Sequence, residues 1–500
     1  MSQRDLSPEE FRELGHAYVD WIADYRARVG DLPVLPGVEP GWVRGQLPAK
    51  LPEEGEPLTG VLADMDRVVV PGSTHWQHPG FFAYFPANAS LASLLGDMLS
   101  TGLGSQGMLW STSPACTELE QHLLDQLADA TGLPAGFTFA GGGGGVIQDS
   151  ASSSSLVALL AALHRGSGGA WRTAGRDGRE VLYVSAHTHS SLEKAAIAAG
   201  LGADAVRIVP PGGDGGQTMA PGALAAAVRE DLAAGRRPVM VCATIGTTST
   251  GAVDPVREVA AVCAEHGIWL HVDAAWAGAA AFCPEHRGLF DGAGLADSYS
   301  ADGHKWLLTA FDCNLFWTRD SATLVGALTV LPEYLRNAAS ESGAVVDYRD
   351  WHLPLGRRFR ALKLWTVLRH FGLAGIRDHV RRHVGLAADL ESWAAADPRF
   401  ALGVPRSLAL VCLYAVTGRG TDADNAATKA VLERINAGGR SYVTHAVVDG
   451  RYLLRVAVGG LETEERHVRA LWDDLCAAAD EVTGADAVAT ADAGERGGTA

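Results

Sequence analysis

Apolar and polar positions alternate along this chain in three distinct styles. Over residues 1–30 the apolar residues recur at helical spacing. Ser7 reads as an N-cap, Pro8 as a first-turn residue and Glu10 as the partner that closes a capping box. Residues 31–60 are rich in Pro and Gly and predict an extended course over a surface. From about 110 to 320 the pattern becomes strand, helix, strand. Residues 239–243 are a short apolar run, Asp254-Pro255 opens a helix, Gly267 closes it, and 268–272 is the next run. A second unit starts at 181–184, with a helix from Ser190, Glu193 as capping-box partner and Gly200 as the stop. Repeated βαβ units predict a mostly parallel sheet covered by helices.

Beyond about 370 the style changes again. Residues 407–416 alternate like a strand, and 442–448 and 451–458 flank an Asp449-Gly450 hairpin turn. Residues 463–480 predict an amphipathic helix, and the Ala/Gly/Thr-rich stretch from 483 predicts disorder. The expected organisation is an N-terminal helical arm (1–95), a large α/β domain (96–370), a small α+β domain (371–482) and a disordered tail (483–500). No repeat at solenoid or propeller spacing is present.

Composition narrows the function classes. The 500 residues are 47% hydrophobic and carry a formal net charge of −17. An acidic surface without Lys/Arg runs disfavours nucleic acid and anionic lipid as partners. The seven cysteines are dispersed without a C-x-x-C pair, which points to buried reduced thiols rather than disulfides or zinc. The N-terminus lacks a basic region followed by an apolar stretch, and apolar runs such as 155–163 fall well short of the roughly 20 residues of a membrane span. A soluble cytoplasmic protein is expected.

The chemistry lies where polar residues meet strand ends. Thr244 follows the run ending at Ala243 and Asp273 the run ending at Val272; His187 and His189 lie beyond Val184, and His304-Lys305 beyond the run 298–300. In α/β sheets ligands bind past the carboxyl ends of the strands, so four strand ends deliver Thr, Asp, His and Lys to one edge. Lysine is scarce, and among Lys50, Lys194, Lys305, Lys363 and Lys429 only Lys305 stands between a His and an apolar run. Burial there would make it a usable amine, whereas a merely structural lysine is the alternative. The Gly run 141–145 leads through serines into an apolar helix, whose N-terminus is a candidate phosphate seat. It fails G-x-G-x-x-G and carries no G-K-[ST], which weakens dinucleotide and NTPase readings. A phosphate seat, a Schiff-base lysine and an Asp for a pyridinium nitrogen are what pyridoxal 5'-phosphate (PLP) requires.

The chain resembles the group II PLP decarboxylases, the aromatic-L-amino-acid decarboxylase family, from about residue 7 to about 480. The matching motifs are HPGFFAYFP (78–86), SPACTELE (113–120), GGGVIQDSAS (143–152), WLHVDAAWAG (269–278), HKWLL (304–308), DCNLFW (312–317) and PLGRRFRALKLW (354–365). The resemblance implies a fold-type I, PLP-dependent transferase-like architecture with a mostly parallel seven-stranded sheet, and a homodimer with active sites at the subunit interface. It implies Lys305 as the Schiff-base lysine, Asp273 as partner of the pyridine nitrogen and His189 stacked on the ring. Thr244 and Ala275 lie nearby, and Ser150, Ala151, Ser152 and His304 form the phosphate and lysine surroundings. Tyr334 matches a mobile-loop tyrosine that protonates the product carbanion; members that form aldehydes commonly carry Phe there. Trp76, Tyr84 and Phe85 match the aromatic side of the substrate pocket, with Gln106, Met108 and Gly356 at further pocket positions.

The expected activity is therefore decarboxylation of an aromatic L-amino acid to an arylalkylamine, with Gly356 leaning toward indole substrates. The alternatives are oxidative formation of an aldehyde and a catalytically dead binding protein. Three departures from the family pattern stand out. Asp302 replaces an Asn near the phosphate, so it must point away or be neutralised. Gln106 and Met108 replace bulkier residues. Asp149, in place of a Gly, reads as an N-cap.

Overall fold

Helix α1 (Pro8–Arg28) begins as its sequence dictates: the Glu10 amide donates to Ser7 Oγ at 3.2 Å, and the Ser7 amide donates to Glu10 Oε2 at 2.8 Å. None of its residues is buried. The computed structural model describes residues 5–212, 216–330, 339 and 344–496. Helix α2 (Leu91–Leu103) leaves Leu91, Leu95, Met98, Leu99 and Leu103 exposed on its outer face.

Seven strands form the central sheet: β1 (Gly144–Gln148), β2 (Glu180–Ser185), β3 (Val206–Val209), β4 (Arg237–Thr244), β5 (Trp269–Asp273), β6 (Ser298–Asp302) and β7 (Asn314–Thr318). Their order is β1-β7-β6-β5-β4-β2-β3, and β7 alone runs against its neighbours. Burial on both faces explains why these strands read as continuous apolar runs. The connecting helices α3 (Ala151–Gly166), α4 (Ser191–Ala198) and α5 (Val256–His266) supply the covering layers, and Gly267 ends α5 with φ 66°.

The glycine run has a different purpose from the one its sequence suggests. Gly144 and Gly145 belong to β1, and a Cβ on Gly145 would lie 2.9 Å from Leu124 Cβ and from Trp317 Cδ1. These glycines admit close packing against α/β neighbours. The start of α3 falls later, at Ser150, whose hydroxyl accepts from the Ser153 amide at 3.3 Å; Ser150, rather than Asp149, is the N-cap.

The long helical span α6 (Arg360–Ala396) is broken at Gly372 (φ 60°, ψ 176°) and packs along α2, where Gly96 admits the Lys363 backbone. A second, antiparallel sheet follows: β8 (Phe400–Leu402), β9 (Leu410–Ala415), β10 (Thr444–Val448) and β11 (Arg451–Ala457), in the order β8-β9-β11-β10. Asp449 (φ 50°) and Gly450 (φ 78°) make the expected left-handed hairpin turn between β10 and β11. Helices α7 (Thr421–Ala437) and α8 (Glu465–Arg496) complete this unit. The expectation of a disordered stretch from 483 differs from the structure, where α8 continues to Arg496. The Ala-rich sequence there has high helix propensity.

Candidate active site

Four adjacent strands bring the candidate residues together. Thr244, Asp273 and Ser300 stand side by side across β4, β5 and β6, because Thr244 pairs with Asp273 and Asp273 with Ser300 in the parallel registers. Asp302 ends β6, and the chain turns at once, so that Lys305 Nζ comes 2.6 Å from Asp302 Oδ2. His189 lies four residues past the end of β2, the other neighbour of β4. The edge predicted from strand-end polarity is thus real.

Asp273 is buried; one oxygen accepts from the Ala275 amide at 2.9 Å. Burial drives its pKa up, against the pull of that amide and of Lys305. The Thr244 and Ser300 hydroxyls flanking it are buried and lack a hydrogen-bond partner among the described residues. Orphaned hydroxyls around a buried carboxylate fit a polar, protonated heteroaromatic ligand, as a pyridinium ring is. Asp254 supports this layer from below: its two oxygens accept from the Thr244 and Met219 amides at 2.8 and 2.7 Å. Burial raises its pKa to about 6.

Asp302 is the departure that sequence left open, and it is neutralised. Besides Lys305, Asn314 Nδ2 donates to Asp302 Oδ1 at 2.7 Å, and His304 Nε2 is 3.6 Å from Oδ2. Although burial pushes the Asp302 pKa up, the opposing pull of Lys305, His304 and Asn314 leaves it lowered. Ser154 in turn donates to Asn314 Oδ1, which links this cluster to the first turn of α3 beside Ser150, Ala151 and Ser152. His304 is anchored by its backbone amide, which donates to the Cys313 carbonyl at 3.1 Å.

The expected capping box at Ser190 does not form. Ser190 has helical backbone angles and no side-chain cap bond; instead the Ser191 amide donates to His189 Nδ1 at 3.2 Å. The imidazole therefore caps α4, which fixes its orientation and leaves Nε2 to carry the proton of the neutral ring.

Trp76 and Tyr84 are 40% and 50% exposed, and their rings stack at 5.8 Å between centroids. Phe85 is 6% exposed and lies beneath, stacked on Trp276 at 4.9 Å and edge-on to Trp306 at 5.4 Å. It backs the wall rather than forming its surface. Gln106, Met108 and Gly356 form a separate group: the Arg357 amide donates to Gln106 Oε1 at 2.6 Å, and the Arg349 amide to the Met108 carbonyl at 3.0 Å. Behind them Arg357 and Glu120 form a buried ion pair of 2.6 Å. Tyr334 lies outside the described residues.

Asn88 carries no signal in periodicity, yet it holds the lysine segment. Its Nδ2 donates to the carbonyls of Lys305 (2.7 Å) and Gly459 (2.8 Å), its amide donates to the His304 carbonyl, and its Oδ1 accepts from Leu461. A buried Asn in a loop needs several partners, and that requirement was the only clue available from sequence. Among the described residues no His/Cys/Asp/Glu group is arranged to hold a metal ion, and no helix is long and apolar enough to cross a membrane.

The pyridoxal-dependent decarboxylase conserved domain matches residues 40–416. Phenylacetaldehyde synthase of Arabidopsis thaliana is 44% identical, covering 94% of this chain and 96% of its own. Tyrosine decarboxylase of Papaver somniferum is 42% identical, covering 97% of each. The crystal structure of Oryza sativa TDC with PLP and tryptamine superposes with a TM-score of 0.93 at 40% identity, covering 96% of this chain and all of that one. With the lysine, the buried aspartate and the capped histidine on one sheet edge, and with this similarity along nearly its whole length, the chain belongs to the pyridoxal-dependent decarboxylases.

Proposed function

We propose that the protein is a PLP-dependent carboxy-lyase that converts an aromatic L-amino acid to the corresponding arylalkylamine and CO2. The observation that carries the reading is Asp273, buried between two unpartnered hydroxyls one strand away from the Lys305 turn. When bound, PLP supplies an electron sink for the pair left on Cα as CO2 departs. Lys305 provides the amine that holds the cofactor. Asp273 would keep the pyridine nitrogen protonated, and His189, fixed through Nδ1, would lie against the cofactor. Ser150, Ala151 and Ser152 offer backbone and hydroxyl donors at the start of α3 for the phosphate. Thr244, Ala275 and His304 complete the surroundings.

Trp76 and Tyr84 present a half-exposed stacked pair suited to an aromatic ring and unsuited to a carboxylate side chain. Tyr334 delivers the proton to Cα, which directs the product to an amine. A homodimer is supported by the unburied α1 and the exposed leucine face of α2, and it would let the Gln106, Met108 and Gly356 group complete a neighbouring site. The setting is cytoplasmic, with no nucleic acid or membrane partner.

One observation favours a second reading. A relative sharing 44% identity is named for aldehyde formation, so oxidative decarboxylation must be tested directly. The assay follows amine, CO2, aldehyde and hydrogen peroxide with tryptophan, 5-hydroxytryptophan, tyrosine, dihydroxyphenylalanine, phenylalanine and histidine. Amine and CO2 without peroxide are expected, and Lys305→Ala should abolish both turnover and the PLP absorption band. Stoichiometric peroxide and aldehyde would replace this reading with the oxidative one.

A further inference from the structure

Arg455 is 3% exposed at the centre of β11, and no carboxylate among the described residues forms an ion pair with it. Its guanidinium instead spends its donors on backbone carbonyls. Nε donates to Thr248 at 2.6 Å, and Nη1 donates to Tyr84. Burial lowers its pKa to about 10, as expected of a cation without a countercharge. Thr248 lies in the loop just beyond Thr244, at the end of β4. Tyr84 sits in the arm, with a left-handed φ of 51°, a strained conformation for a bulky residue that its surroundings must impose.

Those surroundings come from the small domain. Thr444 on β10 is the direct cross-strand partner of Arg455. Its hydroxyl accepts from the Tyr84 amide at 3.3 Å, while Arg455 donates to the Tyr84 carbonyl. One cross-strand pair therefore grips both peptide groups of a single residue. Tyr442 adds a hydroxyl contact to the Tyr84 phenol at 3.1 Å, and Trp76 stacks on that ring. The planar guanidinium fork reaches both carbonyls, on different segments, through Nε and Nη1.

We infer that Arg455 is a positioning residue for substrate recognition: with Thr444 it sets the Tyr84 backbone, and so the aromatic wall, and it ties that wall to the loop beyond Thr244. The role rests on the reading that Trp76 and Tyr84 receive the substrate ring. The small domain thereby governs aromatic recognition without lending a side chain to the cofactor.

The test compares Arg455→Gln, Arg455→Lys and Thr444→Val with wild type, all as PLP-loaded full-length protein. Amide hydrogen exchange over 81–88, without substrate, reports the clamp. KM, kcat and the PLP absorption band report its consequences. Arg455→Gln should speed exchange there and raise KM about tenfold, with kcat and the band changing less; Thr444→Val should do the same to a smaller degree, since one lost hydrogen bond is worth about a factor of three to ten. Arg455→Lys should fall between. Unchanged exchange over 81–88 in folded Arg455→Gln, or a loss of kcat and PLP band with KM intact, would overturn the inference. If Arg455→Gln does not fold, Thr444→Val decides, and unchanged exchange and KM in it would also overturn the clamp. Faster exchange in a protein that turns over no aromatic amino acid would uphold the clamp and reject the substrate reading.

Discussion

Asp302 Oδ2 and Lys305 Nζ lie 2.6 Å apart across a single turn at the end of β6. The pair explains how a carboxylate is tolerated where related chains place an amide. It also makes a claim about the cofactor-free protein, because a lysine that carries PLP covalently no longer needs that countercharge. Asp302→Asn should therefore cost the apo protein more than the PLP-loaded one, by about 1–3 kcal/mol, the penalty for leaving a largely buried polar group poorly paired. Thermal unfolding of both forms checks this. Equal losses in the two forms would show that Asp302 serves the fold through Asn314 and not through Lys305.

The proposed role requires Asp273 to hold a proton on the cofactor nitrogen rather than merely fill a strand end. Asp273→Asn keeps the shape and the hydrogen bond from Ala275 but removes the charge. PLP should still bind and give its absorption band, while kcat falls by about a hundredfold or more, the order seen when a charge-stabilising group is lost. Turnover within tenfold of wild type would remove Asp273 from its assigned role.

Legibility from sequence followed how local each determinant was. The βαβ unit from Asp254 to Asp273, with Gly267 as its helix stop, and the Asp449-Gly450 hairpin were readable, since helix stops and turns are written in neighbouring residues, although Asp254 bonds Thr244 and Met219 rather than capping the helix. So was the edge carrying Thr244, Asp273 and Lys305, because a polar residue at a strand end is local too. The strand order, with antiparallel β7 between β1 and β6, was not, since it depends on contacts far apart in the chain. The glycine run misled for a related reason. A glycine needed for close packing, as Gly145 is against Leu124, looks the same in sequence as one needed for a phosphate. Asn88 and Arg455 act through backbone carbonyls of distant segments and left no pattern at all.

Gly356 offers a prediction about ring size. A Cβ there would lie 3.2 Å from Gln106 Nε2, a flexible side-chain end that can yield. Gly356→Ser should therefore fold normally but narrow the space that Gln106 borders. Filling room for a second ring should lower kcat/KM for tryptophan relative to tyrosine by about 10- to 200-fold, the range for small size changes in apolar pockets. Parallel kinetics with both substrates decide it. A ratio unchanged within about twofold would place Gly356 away from the ring.

The buried histidines predict the acid limit of the fold. Burial lowers the pKa of His271, His352 and His379 to about 3 each, and that of His383 well below the ordinary value. The unfolded chain takes up these protons near pH 6.5, whereas the folded chain refuses them until much lower pH. Between those limits the unfolded state binds more protons, so stability is complete above about pH 6.5 and is lost as pH falls. Each such imidazole contributes about 1.4 kcal/mol per pH unit in that window. Asp254 works the other way from about 6 down to its ordinary range, offsetting one histidine. Melting temperature measured from pH 7.5 to 5 should drop steeply below 6.5, and His379→Asn should flatten the slope by about one such increment per pH unit. Activity should hold as long as the fold does, because Trp306, next to Lys305, donates its indole N–H to His383 Nδ1 at 2.9 Å, and burial keeps that acceptor unprotonated in the folded chain. A melting temperature flat to pH 5 would mean that these imidazoles reach water more readily than their burial implies.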